Sequence, residues 1–266
     1  MQKRIKILIA MAVVLLVFGA VSYWRVQPRD YTKMLEEGVL HVATEYSALG
    51  FVVNNTDTSG FQYELIKAFA DTLGVCVQFT IEPDLNKNIE GLNSGSYDLI
   101  MKPLPVTAEL KDEVAFSSPL FKDNLVLVQR KPTKGKGLNL LRNVAELDGK
   151  NVYLPSGSAD ALILRHINDE LGIDMRIEHL PDIDTEHLLA MVAGGKILFA
   201  AADFSTAHAV KHFYPQLDID TRLGFEQWRA WAFPSKDTEL RTHFDEWLAA
   251  FRAAGAYDRL YRKYYN

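Results

Sequence analysis

Two stretches of this chain run through the same order of elements, and that repetition constrains the fold more than any single motif. In the first, Val39–Thr44 (VLHVAT) has strand character, and SGFQYELIKAFADTLG follows. Within it Phe61, Leu65, Ile66, Phe69 and Leu73 recur at helical spacing, and Gly74 stands where the helix must end. VCVQFTIE then reads as a strand, a helix ends near LNSGSYD, and LIM is a third strand. In the second stretch KNVYL is a strand, and SGSADALILRHINDELG opens on Ser-Gly and closes on Leu-Gly as its counterpart does. IDMRIEHL is a strand, TEHLLAMVAGG a helix ending in glycine, and KILFAAAD a buried strand. Alternating strands and helices predict parallel sheets with helices on their faces. Doing so twice predicts two lobes of similar α/β architecture.

The connections between lobes follow from composition. NLVLVQRK leads into PTKGKGLN, a basic, glycine-containing segment of connector type. TRLGFEQWRAWAF is strand-like again and returns the chain to the first lobe, giving a double crossover. The expected boundaries are 39–130 for the first part of lobe 1, 131–221 for lobe 2, and 222–266 for the return with two C-terminal helices. Leu240, Phe244, Trp247, Leu248 and Phe251 on one, and Tyr257, Leu260, Tyr261 and Tyr264 on the other, are spaced for core packing. Residues 25–38 read as a connector. Ahead of it, in residues 1–24, MQKRIK precedes an uninterrupted apolar run from Ile7 to Val21. That is the basic and hydrophobic pattern of an export signal, with Ala20 and Ser22 placed for cleavage. Extended to Trp24 it also approaches the about 20 residues that span a bilayer. Cleaved signal peptide and uncleaved anchor both stand, and either puts the rest outside the cytoplasmic membrane.

The net charge of −5 over 266 residues, with signs mixed, argues against a nucleic-acid partner. Cys76 is the only cysteine, so no intramolecular disulfide forms, and its apolar setting predicts a buried thiol. The chain has no G-x-S-x-G elbow, no H-E-x-x-H and no phosphate loop. His208 and His212 stand one helical turn apart, but no third ligand has convincing spacing, so neither metal nor cofactor is expected.

Two sites carry more information. Ser156, Gly157 and Ser158 follow directly from a strand, at the carboxyl end where α/β sheets bind ligands. Free N–H groups at a helix start suit an anion there, and ordinary serine capping explains the same residues. Asp203 closes the strand ILFAAA. It either caps the helix STAHAVKHF or holds a ligand's ammonium.

Taken together, GFQYELIKAFADTLG, LNSGSYDLIMKPLPVTAELKDEVAFSSPLF, LDGKNVYLPSGSA and GAYDRLYRKYY resemble the family 3 extracellular solute-binding proteins, from Val39 to Tyr265. VATEYSALGF and KPLPVT are similar to the N-terminal, non-catalytic module of membrane-bound lytic transglycosylases of the F type. The resemblance implies a type II periplasmic-binding clamshell with its ligand between the lobes. It also implies ligand sensing or delivery without bond cleavage, since the chain ends at Asn266 where that module ends. The ligand is expected to be small and polar, amino-acid-like or a cell-wall peptide. By the same resemblance Tyr46 is an aromatic wall, Pro105 a carbonyl and Thr107 a hydroxyl of the pocket. Ser156, Gly157 and Ser158 would take an anion, Asp203 an ammonium, and Glu45 a second place at the cationic end. The family's amino-acid binders put a carboxylate-gripping arginine three residues after that threonine, where this chain has Leu110. Weak binding of free α-amino acids is therefore expected, with a larger or differently charged ligand helped by Lys102. The expected partners are an ABC-transporter permease or a cell-wall enzyme, and the cytoplasmic membrane through the N-terminal segment. Two alternatives stand beside this reading: a dehydratase-like enzyme using Glu45 and Asp203, and a ligand-free regulator of cell-wall lytic enzymes.

Overall fold

The structure, a computed structural model, describes residues 29–54, 57–132, 139–236 and 238–265. The hydrophobic segment 1–24 and most of the PTKGKGLN connector lie outside the described residues.

The repeat read in the sequence is a repeat of topology. In lobe 1, β1 (Val39–Thr44) lies parallel to both β4 (Cys76–Ile81) and β5 (Leu99–Pro105). In lobe 2, β8 (Asn151–Pro155) lies parallel to both β9 (Arg176–Leu180) and β10 (Phe199–Asp203). Each lobe thus places its first strand in the middle and is completed by one antiparallel strand. That strand is β11 (Leu217–Phe233) beside β5, and β7 (Phe121–Arg130) beside β10. Because β7 and β11 also pair with each other, the two lobes join in one sheet, ordered β4-β1-β5-β11-β7-β10-β8-β9, with the short β6 (Ala115–Phe116) paired to β11; β2 (Val52–Asn54) and β3 (Asp57–Ser59) form a separate hairpin.

Helices cover both faces of each half, so neighbouring strand residues serve opposite cores. Leu99 and Met101 pack with α2 (Phe61–Leu73), α8 (Glu239–Ala253) and α9 (Ala256–Tyr265). Ile100 and Leu104 pack with α3 (Leu85–Asn93) and α4 (Ala108–Glu113). Along β7, Leu125 and Leu127 meet α5 (Asp160–Leu171), while Val126 and Val128 meet α6 (Thr185–Ala193) and α7 (Phe204–Phe213). The repeated Leu-Gly ends are helix stops: Gly74 and Gly172 take φ of 69° and 63° after α2 and α5.

Four expectations need correction. The crossover lies inside β7 and not after residue 130, since Phe121 belongs to the first lobe's core and Leu125 to the second's. The return strand likewise leaves lobe 2 after Leu223 and enters lobe 1 by Trp231. An apolar strand reads the same on either side of a hinge, because both cores ask for the same residues. Within the 25–38 connector, Tyr31–Glu37 forms a helix, α1, capped by Asp30 and seated by buried Met34. Cys76 is exposed, as the first residue of the edge strand β4.

Candidate functional site

A cavity of about 410 Å³ lies between the lobes, walled by the carboxyl ends of β1, β5, β8 and β10 and by the loops that follow them. The lobes touch across it. The Leu85 amide donates to the Gly157 carbonyl at 3.2 Å, and the Ala48 amide donates to Glu186 Oε1 at 2.5 Å. Gly157 takes a φ of 76°, and a Cβ there would stand 2.5 Å from the Asp84 Cα. Only glycine permits this approach of the two backbones.

The floor of the cavity is a charge network centred on Arg229. Its backbone sits in lobe 1, paired with Pro105 and Phe121, and its carbonyl accepts the Leu120 amide at 2.7 Å. Its side chain is buried and reaches two carboxylates of lobe 2. Nη1 donates to Asp160 Oδ1 at 3.0 Å, and Nη2 donates to Asp203 Oδ1. Asp123 on β7 accepts from the Ser205 hydroxyl and from the Ser205 and Asn124 amides. Burial pushes the Asp203 carboxyl well above the usual range, against the pull of Arg229, and nearby Asp160, Asp123 and Glu45 push the same way. Burial works against the Arg229 charge, yet Asp203, Asp160 and Asp123 outweigh it and hold the guanidinium protonated.

Of the nine residues singled out in the sequence, seven line this cavity: Glu45, Tyr46, Lys102, Pro105, Ser156, Ser158 and Asp203. Several are already engaged. Lys102, buried, pairs with Glu45 at 2.7 Å and donates to the Pro83 carbonyl at 2.8 Å. The Pro105 carbonyl accepts the Thr107 amide at 3.0 Å. Tyr46 is 51% exposed and stacks at 6.0 Å on Phe51, leaving a face to the cleft.

Thr107 and Gly157 do not line the cavity. The Thr107 hydroxyl accepts the Leu110 amide at 3.3 Å, capping α4, and Leu110 is buried in the core behind it. Gly157 serves the contact between lobes. The expected anion seat at Ser156–Ser158 is also displaced. The helix starts only at Asp160, Ser158 Oγ accepts that residue's amide at 3.2 Å, and the Asp160 carboxylate itself stands at the helix's positive end. Asp203 makes no side-chain cap to α7; its carboxylate goes to Arg229. His208 and His212 lie on α7, and among the described residues no group of three or more His, Cys, Asp and Glu side chains is disposed to hold a metal.

Sequence reasoning missed Arg229, Asp160 and Glu186. The signal for Arg229 is a lone charge between two tryptophans in the strand WRAWAF, which burial tolerates only with partners. Glu186 is half-buried at the start of α6, and burial raises its carboxyl above the ordinary value against the Ala48 hydrogen bond, with Asp184 and Glu45 raising it further.

Comparison with known proteins agrees with this fold. The family model of the bacterial extracellular solute-binding proteins, family 3, matches residues 39–266. The membrane-bound lytic murein transglycosylase F of Shewanella woodyi is 30% identical over 207 residues, which is 77% of this chain and 41% of that protein. The chain thus spans less than half the length of that relative. An ancestral arginine-binding protein bound to arginine superposes with a TM-score of 0.74 at 25% identity, over 86% of this chain and 99% of its own. An ancestral amino acid-binding protein, a precursor of cyclohexadienyl dehydratase, shares the fold with a TM-score of 0.71 at 22% identity, over 88% and 98%.

Proposed function

The chain belongs to the family 3 bacterial extracellular solute-binding proteins, and on that premise we propose that it is a non-enzymatic clamshell that closes on a small ligand between its lobes. The observation that carries this reading is the cavity itself, lined from both lobes and bridged by the Leu85–Gly157 and Ala48–Glu186 hydrogen bonds. A ligand touching both walls stabilises the closed form relative to the open one by its differential contacts. The floor offers a salt-bridged arginine, and the two acids that hydrogen-bond Arg229 are occupied in holding it. The work of the protein is sensing or delivery outside the cytoplasmic membrane. Its partner is a transporter permease or a cell-wall enzyme, and the N-terminal segment serves as its link to the membrane.

A dehydratase-like enzyme is the second reading, favoured by the place of Asp203 at the cavity floor, where burial pushes its carboxyl above the usual range. A thermal-shift screen of the full chain with amino acids, amines, keto acids and muropeptides separates the two, provided each incubation is also examined by mass spectrometry. Stabilisation with the compound recovered intact supports the binder. Conversion of any compound, lost in Asp203→Asn, replaces it with the enzyme.

A further inference from the structure

The charges that line the cavity are unequal in a way that selects a ligand. Its basic side chains are Lys87, Lys102 and Arg229, and each faces an acid of this chain. Lys102 and Arg229 are buried with their pairs at 2.7 and 3.0 Å, while Lys87 is solvent-facing, 3.8 Å from Glu82. Among the described residues the solvent-facing Lys87 is the one basic group of the cavity wall not held in a buried pair, and neither Lys102 nor Arg229 is free to take a ligand's carboxylate. The acids are in excess. Glu186 from lobe 2 and Asp84 from lobe 1 have only backbone amides as partners, and Asp184 accepts the His187 amide at 2.8 Å, capping α6, beside that residue's exposed ring at 2.7 Å.

A second feature points the same way. Tyr46 presents an exposed ring on the lobe 1 wall, next in sequence to Glu45, and an aromatic face is a favourable surface for a cation. Closure moreover lays the Glu186 carboxylate directly on the lobe 1 backbone at Ala48, two residues from Tyr46. Glu45 of lobe 1 acts on Glu186 of lobe 2 by like-charge repulsion, which a positive charge entering between the lobes relieves.

We infer that the cleft takes an organic cation without need of a carboxylate, an amine or guanidine seated between Glu186 of lobe 2 and the Tyr46 wall of lobe 1. The inference rests on the clamshell reading above and specifies its ligand. Asp203 is not the cation's seat, since Arg229 of the same chain fills that place.

The test is calorimetry on the full chain with agmatine, putrescine and spermidine against arginine, glutamine and glutamate. Agmatine is arginine without its carboxylate, so the pair isolates that group. We expect at least one amine to bind, agmatine to bind no more weakly than arginine, and glutamate not to bind at millimolar concentration. Glu186→Gln keeps an oxygen for the Ala48 amide, so it is expected to retain the fold, with an unchanged or raised melting temperature without ligand. It is expected to weaken the bound amine at least tenfold. Tighter binding of glutamine or glutamate than of every amine overturns the inference while leaving the clamshell intact, as does an amine affinity unmoved by Glu186→Gln. Absence of binding by any of the six overturns the inference, and silence across the wider thermal-shift panel overturns the clamshell reading with it.

Discussion

The guanidinium of Arg229 leaves the sheet of lobe 1 and forms its ion pair with the Asp203 carboxylate of lobe 2. The backbone of the arginine is fixed by strands on both sides, so the pair ties the second lobe to the frame of the first. Removing one partner of a buried pair leaves an uncompensated charge, which typically costs about 3–5 kcal/mol. Arg229→Met should lose that much in urea denaturation at pH 7. The loss should shrink on acidification. A carboxyl whose folded pKa is raised takes up its proton in the folded state first, so stability returns as pH falls through the folded value toward the ordinary 3.8 and is lost again as pH rises.

Glu186 carries a milder pH dependence of the same sign. Its raised pKa makes its contribution most favourable below the ordinary 4.5, declining as pH rises through the folded value. Glu186→Gln removes the ionisation and retains an acceptor for the Ala48 amide. A series of melting curves between pH 4 and 8 should show the variant less pH-dependent than the parent, and more stable at pH 7 without ligand.

The approach of the lobes depends on Gly157. A methyl group at that position meets the Asp84 backbone, and the left-handed conformation adds roughly 1–2 kcal/mol of its own. Gly157→Ala should therefore hold the cleft open. Small-angle scattering should report a larger radius of gyration than the parent's, with ligand affinity lost and the far-ultraviolet dichroism unchanged.

Much of this architecture was legible before any coordinates. Helical spacing and glycine stops gave the elements, because they are local properties: Phe61, Leu65, Ile66 and Phe69 do face the first core, and Gly74 ends their helix. The order of elements gave two lobes, because parallel pairing of β1 with β4 and of β8 with β9 requires the intervening helices. The site was legible in outline only. Glu45, Tyr46, Lys102 and Asp203 do line the cavity, yet their pairings come from segments far apart in the chain, such as Lys102 with Glu45 and Asp203 with Arg229. Local patterns carry no record of such contacts. The hinge was hidden for a related reason, since β7 serves both lobes with the same alternation of apolar residues.

The aromatic stripe of α8 provides a control in the core, since none of its residues lines the cavity. Phe244 is fully buried, with its ring 4.9 Å from Trp231 and 5.2 Å from Phe69. Phe244→Ala should cost about 3–5 kcal/mol by denaturant titration, at a ring that does not itself line the cavity.

Closure on a ligand is tested most directly at the two amides that cross the cleft. Ala48 and Leu85 belong to lobe 1 and donate to Glu186 and Gly157 of lobe 2, so their hydrogen exchange reports the approach of the lobes. Exchange should be followed on the full chain, alone and with whichever compound of the thermal-shift panel raises the melting temperature most. The account predicts slower exchange at both amides with the compound present, and no such slowing in Gly157→Ala. Slower exchange confined to one lobe, with Ala48 and Leu85 unchanged while the compound is bound, would contradict it.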